Sequence, residues 1–101
     1  MKAFPLREKR EAEAYAAAGG QALHIFILPP CLGPRAPKCF RPGREAAHLF
    51  DQDVERLNLA ARRLGIRKDR RQVHRFGRPG QHIDLCGMPL KRALKEAGAG
   101  A

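Results

Sequence analysis

Residues 46–65, AAHLFDQDVERLNLAARRLG, carry the clearest periodicity in the chain. Ala46, Phe50, Val54, Leu57, Ala61 and Leu64 recur at steps of three and four, which on a helix places them in one apolar stripe. Gly65 stands where a left-handed C-terminal stop is expected, and Arg62 and Arg63 in the last turn suit the negative end of the helix dipole. Asp51, Asp53 and Glu55 suit an N-terminus near Asp51. His48 then lies either in the preceding loop or on the helix, about 160° from the stripe and facing away from the core.

Upstream, residues 21–28, QALHIFIL, form a short apolar run rich in Ile and Phe and closed by Pro29-Pro30, the pattern of a buried central strand. His24 inside it reads as a structural histidine. Strand followed by helix makes an α/β unit. Between them, residues 29–43 hold five prolines and two glycines, which exclude regular structure, and Arg35, Lys38, Arg41 and Arg44 make this loop basic. At the N-terminus, Pro5 to Ala18 has helical composition stopped by Gly19-Gly20. Its apolar face, Leu6, Ala14, Tyr15 and Ala18, is thin and reads as a loosely docked arm or a partner-binding one. The expected division is an N-terminal helical extension, residues 1–20, and one small α/β domain, residues 21–101.

Downstream, residues 72–76 and 81–85 are short strand candidates separated by GRPG, which predicts a hairpin, with short parallel strands as the alternative. In the register pairing Phe76 with Gln81, His74, Phe76, Ile83 and Leu85 share the core face. Val73, Arg75, His82 and Asp84 share the polar one. A last helix over 89–97 follows, with Leu90 and Leu94 on its apolar face and Gly98 as its stop. The expected architecture is a short sheet with helices at both ends.

The chain of 101 residues carries a formal charge of +10 and a pI near 10.6, a potential that favours polyanions. The charge is concentrated: between Arg62 and Arg78 eight Lys or Arg stand against one acid, Asp69. No apolar run reaches the roughly 20 residues of a membrane span, and no apolar segment follows Lys2 as in a secretory signal. Three cysteines without dense spacing suit a reducing cytoplasm better than a disulfide framework. A cytoplasmic protein is the expectation.

Three constellations carry chemistry. His82 and Asp84, two apart, project to one side of an extended segment and make an oriented base, a ligand pair, or an ion pair with Arg75. His48 and His74 are weaker candidates for the same site. The second is a metal site drawn from His48, His74, His82, Asp51 or Asp84, with Cys31, Cys39 and Cys86 as further candidates; no cysteines have C-x-x-C spacing and the carboxylates are sparse, so neither a zinc knuckle nor a hard-metal site is expected, nor any cofactor. The third is a basic track for phosphate: Arg35, Lys38, Arg41 and Arg44, then Arg67, Lys68, Arg70, Arg71, Arg75 and Arg78, with Phe40 and Phe76 interleaved for base stacking.

The order HIFILPP, His48-Leu49, AARRLGI, His74, HIDL and KRALKEAGA resembles a small bacterial and phage family, the domain of unknown function numbered four thousand and thirty-one. The resemblance spans Leu23 to about Ala99 and leaves the N-terminal helix as an addition. It implies His48, His74, His82 and Asp84 as a shared site, and no particular reaction. Three residues depart from the family pattern. Leu28 and Pro29 stand where its strand ends in acids, and Gln52 stands where an acid follows the His-Leu pair.

Two function classes follow. The first is a nucleic-acid-associated binding protein, a phage or bacterial accessory factor holding phosphates on the basic track. The second is a small hydrolase acting on a phosphoester, with His82 as base or ligand, Asp84 orienting it and Arg75 clamping the anion. A basic module docking on an acidic protein partner explains the charge equally well. Convergence of His48, His74, His82 and Asp84 in space discriminates between a site and a mere surface.

Overall fold

The computed structural model describes residues 1–28 and 44–98. Four strands form one mixed sheet in the order β1 (Lys2–Phe4), β2 (Gln21–Ile27), β3 (Glu45–Asp51) and β4 (His82–Leu85). The first pair is parallel and the other two antiparallel. The helices are α1 (Lys9–Ala17), α2 (Val54–Arg63) and α3 (Gly87–Glu96), with single 3-10 turns at Leu6–Glu8 and Lys68–Arg70. The α/β class, the central strand and the last helix are as expected.

Helices α2 and α3 cover one face of the sheet. Leu57, Ala60, Ala61, Leu64, Leu90 and Ala93 pack on Leu23, Ala47, Leu49, Ile83 and Leu85 to make the main core. The opposite face holds a smaller cluster in which Ala12 and Ala16 of α1 meet Phe4, Ala22 and Phe50. No residue of β4 belongs to that second cluster, so the β3–β4 side of this face is only partly covered. Because paired residues of an antiparallel sheet project the same way, the rows His24–His48–Asp84 and Ala22–Phe50–His82 lie on this face.

Three expectations are corrected. The stripe over residues 46–65 is not one helix: Glu45–Asp51 is a strand and α2 starts at Val54, capped by the Asp53 side chain accepting from the Arg56 amide at 3.1 Å. Ala46, Ala47, Leu49 and Phe50 are all buried, because a strand covered on both faces loses its alternation and becomes an apolar run. The N-terminal segment is no loose arm: Lys2–Phe4 pairs with Ala22–His24, and Phe4, Ala12 and Ala16 are buried. Small alanines let α1 approach closely where a larger apolar face is lacking.

The hairpin register is also shifted by one residue. His74 pairs with His82 through two backbone bonds of 2.8 and 3.1 Å, where the turn chemistry predicts His82 opposite Arg75. Arg75, at φ 56°, opens the turn early. A shift of one reverses every side chain. Val73 accordingly packs against the core, and His74 joins the face of His82 and Asp84.

The stop at Gly65 is as expected, with φ 89° and the Ile66 amide reaching back to the Ala61 carbonyl at 2.9 Å. A side chain there would also run into Arg92, which donates to the Leu64 carbonyl at 3.1 Å. Buried Cys86, preceding α3, is disulfide-bonded, which the cysteine count and spacing do not predict.

Candidate functional site

Cross-strand pairing builds the site. His48 on β3 stands directly opposite Asp84 on β4, and its Nδ1 donates to Asp84 Oδ1 at 2.8 Å. His82 Nε2 lies 3.5 Å from the same oxygen, and His74 Nε2 lies 3.2 Å from Oδ2. Three imidazoles from three segments therefore meet around one carboxylate. His48, His82 and Asp84 each offer a ligand atom within 4.8 Å of the others, where the sequence offers them only as candidate ligands without a recognisable metal-site spacing. All four side chains are partly exposed, from 14% at His82 to 36% at His74.

The surroundings fix the rings. His82 Nδ1 lies 2.7 Å from the Gly80 carbonyl; a carbonyl only accepts, so Nδ1 carries the proton and Nε2 turns its lone pair toward Asp84. His48 stacks on Phe26, centroids 4.2 Å apart, and meets His82 edge-on at 4.7 Å. Phe50 closes on His82 at 5.2 Å. This aromatic wall removes water from one side of the cluster. Burial lowers the His82 pKa, partly opposed by the Gly80 bond, and the neighbouring His48 lowers it further. For Asp84, burial alone would raise the pKa; the His48 hydrogen bond and the attraction of the three imidazoles outweigh it, and the net shift is downward.

Behind the cluster, a buried polar network holds the end of β3. Asp51, fully buried, receives Gln21 at 2.9 Å and two Arg56 bonds of 2.7 Å. Gln81 donates to the Asp51 carbonyl at 2.8 Å, and Gln52 holds the Gly80 amide at 3.0 Å. The turn that carries Gly80, and with it His82, is thus anchored to the β3–α2 corner. Sequence reasoning missed these positioning residues, since isolated glutamines carry no local signal. Asp51 reads as a helix start and is instead the anchor of the network.

Arg75 does not join the cluster: its Nε donates to the Pro79 carbonyl at 3.0 Å, because its left-handed backbone turns it along its own loop. Other cationic side chains stand near the cluster. A recess of about 90 Å³ is lined by Arg70, Arg71, Gln72, His74 and Asp84 over Ile66 and Ile83. Ile66 and Arg71 also border an open groove with Arg62, Arg67 and Lys68, so the connector makes a continuous cationic path to His74 and Asp84. Arg71 donates to the Ile66 carbonyl at 2.9 Å, while its buried Nε has no partner among the described residues. Arg44, Arg67, Lys68, Arg70 and Arg78 are exposed, as is Phe76. Arg35, Lys38, Phe40 and Arg41 lie outside the described residues.

His24 is structural in its contacts, buried with Nε2 3.0 Å from the Leu6 carbonyl. No helix among the described residues is long and apolar enough to cross a membrane. The chain matches no family model, no curated protein and no solved structure, so the function is read from this geometry.

Proposed function

We propose that this protein is a small hydrolase acting on a phosphoester within a polyanionic strand such as a nucleic acid. One observation carries the reading: His48, His74, His82 and Asp84, distant in sequence, converge on the open half of a sheet face beside a cation-lined recess. The recess is far below the roughly 300–1,000 Å³ of a small-molecule pocket and suits a single phosphate group, with the Arg62–Arg71 groove taking the flanking charges.

His74 is the proton-transfer group in this reading, since it and Asp84 line the recess while His82 is tied back to Gly80. Asp84 Oδ2 stands 3.2 Å from His74 Nε2, which leaves Nδ1 to accept a proton. Water attacks phosphorus, its proton passes to His74, the bond to the leaving oxygen breaks, and that oxygen takes a proton back from the imidazolium. Arg70 and Arg71 neutralise the charge gathering on the phosphoryl oxygens.

The test is hydrolysis of single-stranded RNA and DNA oligonucleotides and of bis(p-nitrophenyl) phosphate, with and without divalent cations. His74→Ala and Asp84→Asn are expected to lower kcat/KM by about 100-fold or more while the thermal midpoint of His74→Ala stays near the parent value. Absence of hydrolysis from all of these substrates, or a fully active His74→Ala protein, overturns the proposal.

A further inference from the structure

The geometry points to a divalent transition-metal site, of the kind filled by zinc, held by His48, His82 and Asp84. This inference deepens the hydrolase reading and rests on it in treating the cluster as functional; its own support is the arrangement of donor atoms. In a tetrahedral zinc site with ligand bonds of about 2.0–2.1 Å, neighbouring donor atoms stand about 3.3–3.4 Å apart. Here the two ligand separations from Asp84 Oδ1 are 2.8 Å to His48 Nδ1 and 3.5 Å to His82 Nε2, which bracket that value, and all three ligand atoms lie within 4.8 Å of one another.

A second observation is the direction of the His82 lone pair. The Gly80 carbonyl fixes the proton on Nδ1, so neutral His82 aims an acceptor nitrogen at an acceptor oxygen 3.5 Å away. Two acceptors facing each other repel unless a proton or a metal cation lies between them. The backbone carbonyl behind the ring is also the partner that metal-bound histidines use to hold tautomer and orientation. At His48 the ion takes the place of the Nδ1 proton now shared with Asp84, and that proton moves to Nε2 or to solvent.

Ligand chemistry sets the class of ion. Two imidazoles and one carboxylate suit zinc, cobalt or nickel, whereas calcium and magnesium require mostly oxygen donors. Three protein ligands leave a fourth position open, the arrangement of catalytic rather than structural zinc. Partial exposure gives that position access to solvent. His74 stays on the other carboxylate oxygen, so metal and proton-transfer group flank Asp84 without competing for one atom.

The experiment is titration of untagged, chelator-stripped full-length chain with zinc by calorimetry and with cobalt by visible absorption. One ion per chain is expected, with tetrahedral cobalt bands. His82→Asn and Asp84→Asn should weaken binding by at least tenfold, and His74→Ala should retain both the bands and the stoichiometry. Should a variant lose its fold by circular dichroism, the parent protein still decides through zinc-dependent elevation of its thermal midpoint, which His74→Ala must share. No binding at micromolar ion, or binding unaffected by His82→Asn and Asp84→Asn, overturns the metal site, while hydrolysis persisting in chelator leaves the enzyme reading intact. Tight binding abolished by those variants without any phosphoester hydrolysis supports the metal site and removes the hydrolase.

Discussion

Burial holds His24 and His82 below the usual imidazole range, and the neighbouring His48 adds to the effect in both. In an unfolded chain each takes a proton near pH 6.5, so as pH falls through that value the unfolded state binds protons that the folded state resists. Stability must then drop between about pH 7.5 and 5. Asp84, whose pKa is lowered, acts in a different window: its contribution is present above about pH 3.9 and is lost only as pH falls through its lower folded value. It is constant over the range in which the histidines titrate. Urea midpoints measured at pH 7.5 and 5 should therefore fall with acidity. His24→Gln, which keeps a donor for the Leu6 carbonyl, should flatten part of the drop. A midpoint that is level or higher at pH 5 refutes the attribution to buried neutral imidazoles.

At the scale of elements, the site depends on β3 and on the corner where it enters α2. Arg56 makes the corner, binding Asp51 through Nε and Nη2 and the Gly19 and Gly20 carbonyls through Nη2. Arg56→Ala leaves a fully buried carboxylate with Gln21 and one backbone amide. Loss of one partner of a fully buried pair costs roughly 3–5 kcal/mol; with the Arg56 side chain 44% exposed, water replaces part of the interaction, and about 2–3 kcal/mol is expected by urea denaturation. A change under about 0.5 kcal/mol, the size of an ordinary surface substitution, would show that the corner does not depend on this pair. The same corner marks the limit of what the sequence discloses. Helices α2 and α3 and strand β2 are legible because their stripes, stops and runs are local signals. Strand β3 is not, since burial on both faces removes its period of two, and β1 has too few residues for a pattern. The site's residue types are legible at His48, His74, His82 and Asp84. Their meeting is not, because it depends on the His48–Asp84 pairing and on a one-residue register set by the Arg75 turn.

At the scale of the whole molecule, part of the chain's basic charge, Arg62, Arg67, Lys68, Arg70 and Arg71, borders the groove and recess beside the histidine cluster. The end of α2 and the connector to β4 place Arg62, Arg67, Lys68 and Arg71 along one groove, and Arg70 and Arg71 beside His74. On the proposed function, a strand of phosphates lying in that groove would present one phosphate to the recess while its neighbours met the remaining cations. Each phosphate neutralised on a single strand releases counterions and contributes about 0.7 to the slope of log affinity against log salt. Binding of a single-stranded oligonucleotide, followed by fluorescence anisotropy from 50 to 300 mM salt, should weaken steeply. Changing Arg67, Lys68 and Arg70 together to Ala should reduce the slope by roughly 2. His74→Ala should leave the slope unchanged, because it removes a proton carrier and not a fixed cation, so affinity and turnover are separable by substitution. A slope indifferent to the loss of all three cations would place the polyanion elsewhere on the protein and detach the charge from the histidine cluster.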